Sequence, residues 1–148
     1  MSVRKSHGLY SAIAVQSVSV TKAFGSDLFD AVGLTDSAVI WAQPANSLMV
    51  GINMVLNAQF AATSLTDLDI WTGDAGDNDG LMVVAMNLTS DAVGTAYKTR
   101  GVYWNTATAN SIYSQAGRSW TAYATAVGAN LSTLTAGQIT FYFQYIQL

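Results

Sequence analysis

Apolar and polar residues alternate with period two along much of the chain, the signature of a strand with one face buried. The clearest run extends from Asn46 to Ala62. Leu48, Val50, Ile52, Met54, Leu56, Ala58 and Phe60 fall on one parity, while Asn53, Asn57 and Gln59 share the other. That predicts a long strand of some thirteen residues, with Leu48, Val50, Ile52, Met54, Leu56 and Phe60 in the core. Pro44, the only proline, stands just before it, where a missing donor does not interrupt a ladder. The last strand, Gln138 to Gln147, places Ile139, Phe141, Phe143 and Tyr145 on one face. Shorter strands are expected at Ala38–Ala42, Thr66–Thr72, Leu81–Leu88, Tyr97–Trp104 and Ser119–Val127. Tyr10–Thr21 also alternates, with a parity slip between Val15 and Val18 that suggests a bulge. Leu81–Leu88 is apolar on both faces, as a strand between two layers would be. Turn signals separate these runs at Gly25-Ser26-Asp27, Gly73-Asp74, Asp79-Gly80, Gly128-Ala129-Asn130 and Ala136-Gly137. Asp27 to Gly33 offers one helical turn at most.

About eight short strands without a convincing helix predict an all-β fold. The expected form is a single-domain, jelly-roll-like β-sandwich over residues 10–148. Residues 1–9 form a short extended N-terminal arm, too polar and too short to pack alone. In a jelly roll the last strand lies between the first and the third. Gln138–Gln147 should therefore pair antiparallel with Leu48–Phe60 and with Tyr10–Thr21.

Composition narrows the function. Only 10% of the 148 residues are charged, and the net charge is −3. A folded monomer of this mass exposes roughly 7,300 Å², so its charges are sparse for a surface that meets only water. No run of about 20 apolar residues exists to cross a membrane, because Leu48–Phe60 is broken by Asn53, Asn57 and Gln59. Arg4 and Lys5 imitate the start of a signal peptide, but the apolar stretch Leu9–Val15 is short and contains Ser11. The acidic balance disfavours nucleic acid, whose phosphates require several Lys or Arg. Without Cys there is no disulfide, zinc thiolate or Cys nucleophile.

Catalytic chemistry finds little support. His7 is the single histidine and sits in the arm, away from any candidate Ser-His-Asp arrangement. Asp67 and Asp69 share a strand face but read as a solvated surface rather than a glycosidase pair. The run Asp74-Ala75-Gly76-Asp77-Asn78-Asp79-Gly80 could offer calcium three carboxylates, from Asp74, Asp77 and Asp79. An EF-hand alignment fails, since Ala75 occupies the first ligand position and the chain has no Glu. The plain reading is an exposed loop at one end of the sandwich. Trp41, Trp71, Trp104 and Trp120 fit core or interface packing better than sugar stacking, with Trp71 the most outward.

Certain residues nevertheless form a familiar order. Leu34-Thr35-Asp36 leads to Val39-Ile40-Trp41 and Pro44-Ala45-Asn46-Ser47, then to the long alternating strand. Leu68-Asp69-Ile70-Trp71-Thr72-Gly73 runs into the acidic loop, and the chain closes with Leu134-Thr135-Ala136-Gly137-Gln138 and an aromatic strand. From about Thr35 to Ile146 this order resembles small β-rich virion proteins of tailed bacteriophages, especially capsid decoration or cement proteins. The resemblance implies a non-enzymatic jelly-roll subunit, usually a homotrimer, seated on the outer surface of an icosahedral shell. Its partner would be the major capsid protein, with no nucleic acid, membrane or obligatory cofactor. Similar modules occur in tail fibres, so a receptor- or glycan-binding module is the alternative. Arg4, Lys5 and His7 would then lie on an arm that orders against a neighbouring subunit or the capsid.

Overall fold

The computed structural model describes residues 13–97, 101–104 and 112–148. The expected arm, with Arg4, Lys5 and His7, lies outside the described residues. Among the described residues nine strands appear in order: β1 (Val15–Ala23), β2 (Thr35–Gln43), β3 (Ser47–Ala61), β4 (Asp67–Gly73), β5 (Met82–Asn87), β6 (Ala96–Tyr97), β7 (Tyr113–Ser114), β8 (Arg118–Val127) and β9 (Ala136–Gln147). They form two antiparallel sheets. One runs β1-β9-β3-β6, with β7 also on β3, and the other runs β2-β8-β4-β5. This is the jelly-roll order, with β9 between β1 and β3 as that topology led us to expect.

Burial follows the pleat. Ile52, Met54, Leu56 and Phe60 of β3 and Ile139, Phe141 and Phe143 of β9 are buried. They face Ile40 and Trp41 of β2, Leu68 and Ile70 of β4, and Trp120, Ala122, Ala124 and Ala126 of β8. Trp41 stacks on Phe143 with ring centroids 4.7 Å apart, joining the sheets at the centre. Small alanines along β8 leave room for these rings, as close packing requires.

Bulges alter several expectations. The β3–β9 register shifts between Met49 and Gly51, so the inward parity changes there. Met49 is buried, and Leu48 and Val50, expected in the core, are only half-buried. The same device in β2, between Val39 and Trp41, lets Ile40 and Trp41 both point inward. No bulge occurs in β1, whose register with β9 is continuous from Val15 to Ala23. The slip in apolar parity there arises because Val15 is simply exposed, while Val18 and Val20 face the core.

Three short elements also differ. The 27–33 segment makes turns, not a helical turn, and drops Leu28 and Phe29 into the core. Of the expected strand Tyr97–Trp104, residues 98–100 lie outside the described residues; Tyr97 belongs to β6, and Val102–Trp104 make a 3-10 turn. Backbone bonds from Gly101 to Leu81 and from Tyr103 to Gly80 hold that turn. β5 is a sheet edge rather than a strand between layers, and Val83 is exposed.

Candidate functional site

β4 runs from 67 to 73 and β8 from 118 to 127, so the 74–81 loop and the start of β8 meet at one end of the sandwich. Alternation along β8 explains the meeting. Trp120 to Ala126 point inward at even positions, which puts Arg118 on the same face at the rim of the core. The Arg118 Nε donates to Asp74 Oδ2 at 3.0 Å, and Nη2 donates to the same oxygen. Asp74 Oδ1 accepts from the Tyr103 hydroxyl at 2.7 Å and from the backbone N–H groups of Gly76 and Asp77. The guanidinium lies over the rings of Tyr103 and Trp120, 4.7 and 4.3 Å from their centroids. Tyr123 donates from the other side of β8 to the Asp74 carbonyl.

The polar chain continues inward. Trp120 Nε1 donates to Gln43 Oε1 at 2.8 Å, and Gln43 Nε2 donates to the carbonyls of Ser47 and Ile112. A buried amide with every group paired fixes one arrangement. Burial pushes the Asp74 carboxyl upward, but hydrogen bonds from Arg118, Tyr103 and Gly76, with the Arg118 charge, outweigh it. Its pKa lies below the ordinary carboxylate range. The Tyr103 hydroxyl is pushed up to about 12 by burial, then by its bond to Asp74.

This geometry suits a structural tie more than a cation site. Asp74, Asp77 and Asp79 are half-buried rather than fully exposed, because Asp74 turns onto Arg118 and draws the loop in. Both Asp74 oxygens already accept bonds. Among the described residues no group of three His, Cys, Asp or Glu is placed to hold a metal ion. A hydrogen bond with Asp79, then burial, raises the pKa of Asp77. Arg118, Tyr103, Tyr123 and Gln43 carry this tie, and none was singled out by sequence. The one available signal was Arg118, a rare cation at an inward-facing strand position.

Trp120 and Trp41 are core residues, Trp104 packs against the core, and Trp71 is half-buried on the outer face, where it stands opposite Tyr123. At the other end, loops 62–66 and 128–135 border an open hollow of about 420 Å³ lined by uncharged residues such as Thr63, Ser64 and Asn130.

The broadest feature is electrostatic. β1, β3 and β9 contain a single charged residue, Lys22, and its ammonium is tied to Asp27. All nine Asp lie in β2, β4 or the loops. The solvent-facing side of the β1-β9-β3 surface carries Ser17, Ser19, Thr21, Asn53, Asn57, Gln138, Tyr142 and Gln144, beside the apolar Val15 and Val55, and no charge. Thr21 bonds Thr140, which bonds Asn57, a cross-strand polar ladder without charge.

No protein-family model matches the sequence, and no curated protein matches it. Similar folds occur among solved structures. A chain of the cyanophage Pam1 capsid asymmetric unit aligns with a TM-score of 0.55 and 13% identity, covering 92% of this chain and 86% of that one. A chain of the acidic stable capsid structure of Helicobacter pylori bacteriophage KHP30 aligns at a TM-score of 0.40 and 12% identity, over 90% and 93%. What the Pam1 chain shares with this protein is its fold.

Proposed function

We propose that the protein is a structural component of a phage virion, a decoration protein that binds the outside of an icosahedral head and stabilises it. The observation that carries this reading is the uncharged polar side of the β1-β9-β3 surface. Buried charges cost far more to desolvate than hydroxyls and amides, so such a face suits docking while keeping the free subunit in solution. The fold likeness to a chain of a phage capsid supports the same reading. Repetition over a symmetric shell multiplies a weak contact into lasting attachment. A ligand of the assembled shell alone stabilises it by mass action. Several copies act together here, and the resemblance implies three. Co-sedimentation with empty heads tests the reading: the protein should pellet with shells and raise their disruption temperature. Failure to pellet at micromolar concentration would overturn it.

In this reading the segment bearing Arg4, Lys5 and His7 is an arm that meets acidic groups on the shell. Deleting residues 2–8 should leave the melting temperature of the free protein unchanged within about two degrees while weakening shell binding. Equal decoration by the truncated protein would remove the arm from the proposal.

A second reading rests on Trp71 and Tyr123, opposed on the outer face of β4 and β8. Two adjacent rings on a solvent-facing sheet suit stacking of a sugar, as in a receptor-binding fibre module. A glycan array with the Trp71→Ala variant as control separates the two.

A further inference from the structure

The sheet edges are unequally protected. An edge strand offers unpaired N–H and C=O groups, and proteins guard such edges with charge, proline, bulges or short length. β2 carries Asp36, a bulge between Val39 and Trp41, and Pro44 at its end. β5 is irregular against β4, with a register shift between Ile70 and Thr72. β6 is two residues long. β1 has no proline and no bulge, and its one charge, Lys22, stands near its C-terminal end. Its nine residues hold continuous register with β9, and from Val15 to Thr21 they contain no charge and no proline. Among the described residues nothing pairs with its outer edge. Val15 is 55% exposed and Ile13, just before it, 69%.

We propose that β1 is an interface between copies of this chain, pairing antiparallel with β1 of a second copy about a twofold axis at Val18. Parity supports the register. Residues paired across an antiparallel ladder project to the same face, and an axis at Val18 sets Ser17 against Ser19, Val15 against Thr21 and Gln16 against Val20. Exposed Val15 gains cover and no like charges meet, since Lys22 is held by Asp27 and falls opposite Ala14. The contact is isologous and closes on itself, giving one continuous sheet across two copies instead of a fibre. A ring built by strand addition would need a second open edge, whereas β2, β5 and β6 are guarded as described. The contact therefore departs from the trimer that the resemblance implies. It does not depend on the shell-binding reading, because it is measured on the free protein.

A charge exchange tests it. Ser17 and Ser19 are exposed, so the double variants S17K/S19K and S17D/S19D should keep the β-rich circular dichroism and melting transition of the parent. Native mass and sedimentation equilibrium should give a dimer for the parent. Each double variant alone should dissociate at least about tenfold more readily, because like charges stand directly opposite in two places. Mixing the two folded variants should restore a dimer containing one of each. A parent that is monomeric or trimeric, variants that remain dimeric, or a mixture that stays monomeric would each overturn the proposal.

Discussion

Replacing Asp74 with Asn changes few atoms but removes the charge, which makes it a sharp probe of the Arg118 tie. The amide oxygen can keep the place of Oδ1, accepting from Tyr103, Gly76 and Asp77. The amide nitrogen must then stand where Oδ2 accepted from Arg118, so two donors face each other. Hydrogen bonds to charged groups contribute about 1.5–3 kcal/mol net, and breaking a fully buried pair costs about 3–5. The side chains of Arg118 and Asp74 are 25% and 19% exposed, so water recovers part of the loss. About 2 kcal/mol remains, or a fall of about 4–8 °C in melting temperature for a chain this size. The pH dependence follows from the lowered pKa of Asp74. A depressed carboxylate stabilises the fold above the unfolded value of about 4, and that contribution disappears as pH falls through the folded value. Calorimetry should therefore show the full gap between parent and variant near about pH 7, narrowing as the pH falls below about 4. A gap under about one degree near neutrality would refute the tie. A gap unchanged in acid would show that the loss does not come from the carboxylate.

Other substitutions probe neighbouring features. A Cβ at Gly101 would strike the carbonyls of Asp79 and Gly80, whereas one at Gly33 meets nothing within 4 Å; Gly101→Ala should lower the melting temperature by several degrees more than Gly33→Ala. Chelator should leave the melting temperature unchanged, since the Asp74 oxygens are already engaged; a drop of several degrees would instead assign calcium to the 74–80 loop. Burial first, then the charges of Asp67 and Asp91, raise the pKa of Asp69. A raised carboxyl destabilises the fold above its folded pKa and less as pH falls through it, so Asp69→Asn should raise the melting temperature slightly near neutrality and lose that advantage in acid.

The strand order was legible because alternation is local. Ile52 to Phe60 and Ile139 to Phe143 announce their inward faces by spacing alone, and a two-layer sandwich then leaves few ways to close. The bulges were not legible. Met49 and Val55 are apolar on the odd parity beside the even-numbered row, so nothing in the pattern marks where the inward side changes. Tyr113–Ser114 is too short to show a period. The Asp74–Arg118 tie joins positions 44 residues apart, and only the pairing of β4 with β8 brings them together. The acidic loop was visible as an oddity, but its partner was a single Arg in an unremarkable run. The uncharged surface was visible as a low charge count, although not which sheet carried it.

The central place of β9 has a kinetic consequence. β1 and β3 do not touch in the sheet except through β9, whose Phe141 meets Val20 on one side and Met54 on the other. A nascent chain that has released β1 through β8 still lacks the strand that joins them. Until residues 136–147 leave the ribosome, the inner faces of β3 and β8 have only part of their cover. Such long-range closure is slow compared with local pairing, and incomplete chains carry apolar surface that aggregates. Truncation within β9 should thus yield insoluble product instead of a smaller folded protein. Refolding from denaturant should be a single slow event in which the two ends of the sheet gain protection from hydrogen exchange together.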